Sequence, residues 1–187
     1  NNSGLSHLVV ADGGNVGIGT DSPSKKLHVS SGDQSTSRIR LSNTNTGGND
    51  IDLVAGINNV GQDGFSIYNA TSNQTQLVVQ SGGNVGIGVI NPSDYYSAAS
   101  DLVVGGSSHH GITIASGTSR NGALHFADGI TGTAGYSGYI AYSHADNSMR
   151  FAANATERMR IASDGNVGIG TSSPAVSLDI SATDAVQ

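Results

Sequence analysis

The hexapeptide GNVGIG occurs three times in the chain, at Gly14 to Gly19, Gly83 to Gly88 and Gly165 to Gly170. A proline follows each copy at one offset: Pro23, Pro92 and Pro174 each stand eight residues after Asn15, Asn84 and Asn166. An internal repeat this regular reads as a string of similar supersecondary units. Upstream lie Leu8-Val9-Val10, Leu77-Val78-Val79 and Met159-Arg160-Ile161, each joined to V-G-I-G by a polar link, ADGGN, QSGGN or ASDGN. Apolar residues at i and i+2 on both sides of a Gly/Asn/Asp loop mark a β-hairpin. In its second strand Val16 and Ile18 point one way, while Asn15, Gly17 and Gly19 point the other. A strand with glycine along a whole face packs little there by itself. Gly17, Gly19, Gly86, Gly88, Gly168 and Gly170 therefore predict the close approach of another backbone or another chain.

The links T-D-S-P, V-I-N-P and T-S-S-P come next, and proline ends the strand. A third strand then returns: Leu27-His28-Val29, Leu102-Val103-Val104 and Leu178-Asp179-Ile180. Leu27 and Leu178 lie four residues past their proline, but Leu102 lies ten past Pro92, so six extra residues carry Tyr95 and Tyr96. The motifs are 69 and 82 residues apart, too far for a solenoid coil of ~20–50 residues, so each unit is a multi-strand module. Further alternating runs fill the intervals. Ile39-Arg40-Leu41 is matched with Ile112-Thr113-Ile114, Ile51-Asp52-Leu53 with Leu124-His125-Phe126, and Phe65-Ser66-Ile67 with Met149-Arg150-Phe151. Tyr139 to Tyr142 then reads as an additional run of the last module. The organisation expected is a first repeat over 1–29, modules over 30–104 and 105–180, and a junction over 181–187. No segment shows helical periodicity.

Hydrophobic residues make up 36% and aromatics 5% of the 187 residues, with 27 glycines and no tryptophan. A single globular domain of this length would bury more aromatic bulk, and the persistent alternation argues against disorder. A thin β-structure whose core forms between chains fits better, because pairing chains about an axis reduces surface and covers sheet edges. No cysteine is present, which excludes disulfides and thiolate metal sites. No apolar run approaches membrane-spanning length, and no signal peptide is visible at this start. The net charge is −6 with 8 scattered basic residues, which argues against nucleic-acid binding.

The stretch NATERMRIASDGNVGIGTSSP (Asn154 to Pro174), together with the other two copies, resembles bacteriophage tail-fibre and related appendage proteins. Such proteins carry serial GNVGIGT-x-x-P-x-x-x-L-x-V units, often ahead of a C-terminal intramolecular chaperone domain. The resemblance covers most of the chain and implies a homotrimeric fibre, a location in the virion, contact with other tail proteins and attachment to a bacterial host. It further implies synthesis in the host cytoplasm. The terminal LDISATDAVQ resembles the junction such proteins use before a next module.

Asp50 and Asp52 are the one i, i+2 carboxylate pair that would share a strand face, as in a glycosidase; a solvated strand face is the plainer account. No G-x-S-x-G is present to focus a Ser/His/Asp set. His109-His110 is the only histidine cluster, and one of the two could meet its copies on a three-fold axis around a metal. An exposed loop after Gly105-Gly106-Ser107-Ser108 is the plainer account. Five of the six tyrosines fall between residues 95 and 142. Tyr95, Tyr96, Tyr136 and Tyr139 are the candidates for contact with host glycan or protein, because loop tyrosines stack on sugars at low entropic cost. Ordinary strand and core roles are the competing account. Arg158 and Arg160 alternate with the apolar residues of their strand and are expected to face solvent or to make ion pairs between chains with Asp or Glu157.

The fold expected is all-β: an elongated repeat-module fibre, an intertwined homotrimer of triple β-helix or β-prism type, or else β-sandwich modules in series. The function expected is a structural segment of a phage tail fibre that supports host attachment, with no enzymatic activity, cofactor or membrane insertion. A bacterial surface adhesin or filament protein and a polysaccharide-degrading tailspike are the alternatives. Slow pairing of strands distant in sequence is the folding problem expected of such a chain.

Overall fold

The computed structural model describes residues 8–31, 37–57 and 64–181. Among them the chain is all-β, with three mixed sheets, no closed barrel and only short 3-10 turns besides. The first sheet is β1 (Leu8–Val10), β2 (Val16–Ile18) and β3 (Leu27–Val29). The second is β4 (Arg38–Ser42), β5 (Asp50–Ala55), β6 (Gly64–Asn69), β7 (Gln74–Gln80), β8 (Val85–Ile87) and β9 (Leu102–Val104). The third is β10 (Asn121–Phe126), β11 (Gly138–Ser143), β12 (Ser148–Ala153), β13 (Thr156–Ile161), β14 (Val167–Ile169) and β15 (Leu178–Ile180). In every sheet each strand pairs with the next in sequence. Two compact units result, Asn1–Ile112 with the first two sheets and Thr113–Gln187 with the third.

The hairpin read from the motif is present in all three copies. Leu8 pairs with Ile18, Leu77 with Ile87 and Met159 with Ile169, antiparallel. Glycines with positive φ make the turns, at +77° for Gly14, +94° for Gly83 and +88° for Gly165. The third strand of each motif pairs parallel to V-G-I: Gly17 faces His28, Gly86 faces Val103 and Gly168 faces Asp179. A parallel return ordinarily takes about a dozen residues or more. Here residues 19–26 and 170–177 suffice, because the link passes directly over the middle glycine. A Cβ on Gly17 would stand 2.4 Å from the Thr20 carbonyl oxygen and 3.5 Å from Pro23 Cβ; at Gly168 the same atoms of Thr171 and Pro174 lie at 2.5 and 3.5 Å. Gly19 turns the chain at φ +74°, 2.2 Å from the Ser30 carbonyl oxygen by the same measure.

Of the two expected neighbours of these glycines, another backbone or another chain, the structure shows the first. The backbone that approaches Gly17, Gly86 and Gly168 is the chain's own return link. Two side chains clamp the short links. Ser24 N–H donates to His28 Nδ1 at 3.3 Å, and Ala175 N–H donates to Asp179 Oδ2 at 3.0 Å. Asn15 Nδ2 adds a bond to the Pro23 carbonyl at 3.2 Å.

The register sorts side chains into rows. Ile39, Leu53, Ile67, Leu77, Ile87 and Val104 form one continuous row across the second sheet. Leu124, Ile140, Phe151, Met159, Ile169 and Ile180 form the equivalent row across the third, and Leu8, Ile18 and Val29 across the first. A second apolar row, Phe65, Val79, Val85 and Leu102, lies on the same face. The opposite face carries Arg38, Val54, Ser66, Val78, Gly86 and Val103. That polar-rich face is the buried one: Val54, Val78, Ser66 and Asp52 are essentially sealed, while Leu41, Leu102, Phe126 and Leu178 of the apolar face are 56–60% exposed. Leu27 and Val29 share an apolar hollow of about 300 Å³ with Ile39, Leu53 and Phe65, so the rows of the first two sheets run together.

Both large sheets carry a bulge at one position. The ladder slips between Ile67 and Tyr68 and between Phe151 and Ala152, leaving Gln76 and Arg158 as the extra residues. Their carbonyls accept the N–H of Gly88 (3.1 Å) and Gly170 (2.9 Å), which ties the bulge to the end of each motif. The match of internal runs is also corrected. Ile112-Thr113-Ile114 is not a strand, β10 takes the place of β4, and Tyr139 to Tyr142 belong to β11, the counterpart of β5. The hairpin loop 127–137 displaces the pattern, so Tyr139 to Tyr142 is not an extra strand: both sheets have six.

Candidate functional site

The six-residue insertion gives the second sheet a feature that the other two links do not form. Pro92 is buried over Gly86 and opens a single 3-10 turn, Pro92–Asp94; a second turn follows at Ser97–Ala99. Gln80 grips this link twice: Nε2 donates to Ser93 Oγ at 3.1 Å, and Oε1 accepts the Ser93 N–H at 3.2 Å. Asn84 Nδ2 donates to Ser100 Oγ at 3.0 Å, where Asn15 in the first copy reaches the proline carbonyl directly. Asn166 turns to Asp164 Oδ2 instead, at 3.0 Å. Between the widened link, the start of β7 and the segment after β9 lies a cleft of about 800 Å³. Gln74, Gln76, Asn91, Asp94, Tyr95 and His110 line it. Its floor is glycine: a Cβ on Gly105 would stand 3.5 Å from Tyr95 Oη, and one on Gly106 would stand 2.7 Å from the His110 ring.

The tyrosine candidates separate. Tyr95 lines the cleft; Tyr96, 78% exposed, does not. Tyr136 ends the 3-10 turn Gly132–Tyr136, and Tyr139 lies on β11 with its ring 5.8 Å from that of His125. Both belong to the other compact unit. His110 lines the cleft and His109 lies beside it in an exposed segment. Among the described residues no group of three His, Asp or Glu could hold a metal ion. The cleft's amides and carboxylate escaped the sequence reading. Their signal was the interrupted repeat, which marked the link and not its neighbours on β7.

The carboxylate pair on β5 has a different role. Asp52 is sealed and receives two hydrogen bonds from Arg40, at 2.7 and 2.9 Å, and one from Arg38 at 3.2 Å. Arg40, then Arg38, hold its carboxyl below the ordinary range against the upward push of burial. A general acid needs a raised pKa and access to its substrate, and Asp52 has neither. The third sheet carries an analogous network. Arg160 meets Glu157 at 2.7 Å, and Arg150 meets Asp146 at 2.6 Å. Hydrogen bonds from Ser143 and Ser148, with Arg150, hold Asp146 well below the usual carboxylate range. The bulge at Arg158 brings Glu157 and Arg160 to one face. Arg160 thus meets Glu157 within its own chain.

No protein-family model matches the chain, and no curated protein matches it.

Proposed function

We propose that this chain is a structural segment of a bacteriophage tail fibre, in which three copies bury their apolar sheet faces against one another. The observation that carries this reading is the inverted burial of each sheet. On the buried polar face the chain's own links lie over Gly17, Gly86 and Gly168, and the uninterrupted apolar rows are left open. An open apolar surface of this extent marks an association site. Its repetition at one register in all three sheets supports association along the whole run of modules, and not at one patch. The number three, the virion location and the role in host attachment rest on the resemblance of the GNVGIG units to tail-fibre repeats. Three-fold closure about an axis satisfies every row equally and leaves no copy with a free face.

Mass measurement by light scattering tests the reading. The expected particle contains three chains and survives mild heating in detergent. A stable monomer with the same sheet content overturns it.

A further inference from the structure

We infer that the cleft beside the widened link binds an uncharged hexose unit of a polysaccharide. Sugar recognition needs an aromatic face for the ring C–H groups and planar polar groups that bridge neighbouring hydroxyls. Tyr95 offers a half-exposed phenol ring. Asp94, Gln74, Gln76 and Asn91 offer a carboxylate and three amides around it. None of these four side chains has an intrachain hydrogen bond or ion pair among the described residues, so none must break one to meet a ligand. Asn91 Oδ1 is buried with no donor, and turning that amide toward a hydroxyl forfeits no bond on the oxygen. No lysine or arginine lines the cleft, and Asp94 repels anions, which selects a neutral sugar over an acidic one.

Gly105 and Gly106 keep the floor open: a Cβ on Gly106 would strike the His110 ring at 2.7 Å, and one on Gly105 would crowd Val89 Cγ1 at 3.1 Å. The volume of about 800 Å³ holds more than one sugar ring. The placement adds weight: Asp94 and Tyr95 of the cleft wall lie in the link that is six residues longer than in the other two motifs. The cleft is lined by residues of one chain. Only the biological source of the sugar, a bacterial surface polysaccharide, rests on the tail-fibre reading.

Saturation-transfer NMR on the full chain tests this, with methyl glucoside, galactoside and mannoside as neutral probes and glucuronic acid as the charged one. Transfer to a neutral glycoside is expected, with affinity lowered about tenfold in Tyr95→Ala, the size of one aromatic contact. Asp94→Asn should weaken binding while leaving the fold intact, and Tyr136→Ala should bind as the parent does. Silence from all three neutral probes overturns the inference. So does a preference for glucuronic acid, or binding untouched by both cleft variants. Light scattering on the same samples separates the two readings. A monomer that binds sugar removes the fibre and keeps the cleft; a trimer that binds none does the reverse.

Discussion

At the scale of the residue, glycine and its substitutes decide most. Gly165 and Gly168 sit three residues apart in one motif and should respond differently to alanine. Gly165 has φ +88° and open space around it, so Gly165→Ala should cost only the left-handed strain of about 1–2 kcal/mol. Gly168 is pressed by the Thr171 carbonyl, so Gly168→Ala forces the return link away and should cost about 3 kcal/mol. Thermal melts followed by circular dichroism should rank the two in that order. A further position runs the other way. Asn154 and Ala155 join β12 to β13 with φ of +53° and +55°, a two-residue turn in which both residues are left-handed. Alanine is strained there, and Ala155→Gly should raise stability by about 1 kcal/mol, or roughly 3 °C in midpoint.

At the scale of the element, the buried ion pairs set the response to acid. The carboxyl of Asp52 is depressed in the folded sheet by Arg40 and Arg38. It thus stabilises fully above the ordinary carboxylate value near 4, and this is lost as pH falls through the depressed value. Asp146 acts in the same direction. The thermal midpoint should be flat from about pH 5 to 8 and fall in acid below about pH 4. Asp52→Asn should lower the midpoint at neutral pH, by about 3 kcal/mol of stability, and flatten the acid fall. These elements also show what the sequence could tell. The hairpins were legible because alternation and turn glycines are local signals. The parallel direction of β3, β9 and β15 was not, since either direction presents the same alternating residues. The role of Gly17 was half legible: lack of a side chain announces a close neighbour but not whose backbone it is. Tyr95 was legible as a residue in an insertion. Gln74 and Gln76 were hidden, because only the fold brings β7 to that insertion.

At the scale of the whole molecule, strand order changes the folding problem. Among the described residues each strand pairs within its sheet with the next in sequence, so pairing inside one chain is local and should be quick, against the slow pairing of distant strands expected from the sequence. On the proposed trimeric reading, the slow step is the meeting of copies. Recovery of the heat-resistant particle after dilution from denaturant should quicken as protein concentration rises, whereas strand signal should return at a rate independent of it. Ile140→Asp places a charge in the central row of the third sheet and should leave the sheet formed but reduce the particle to single chains in a sedimentation run. The return link carries one more consequence. It grows from residues 170–177 in the third motif to 88–101 in the second, yet Gly86 and Gly168 hold the same register with the strands beside them. The link is thus a graft point. New loops can be accepted there one module at a time, and a surface can diversify while the apolar rows on the opposite face stay unchanged.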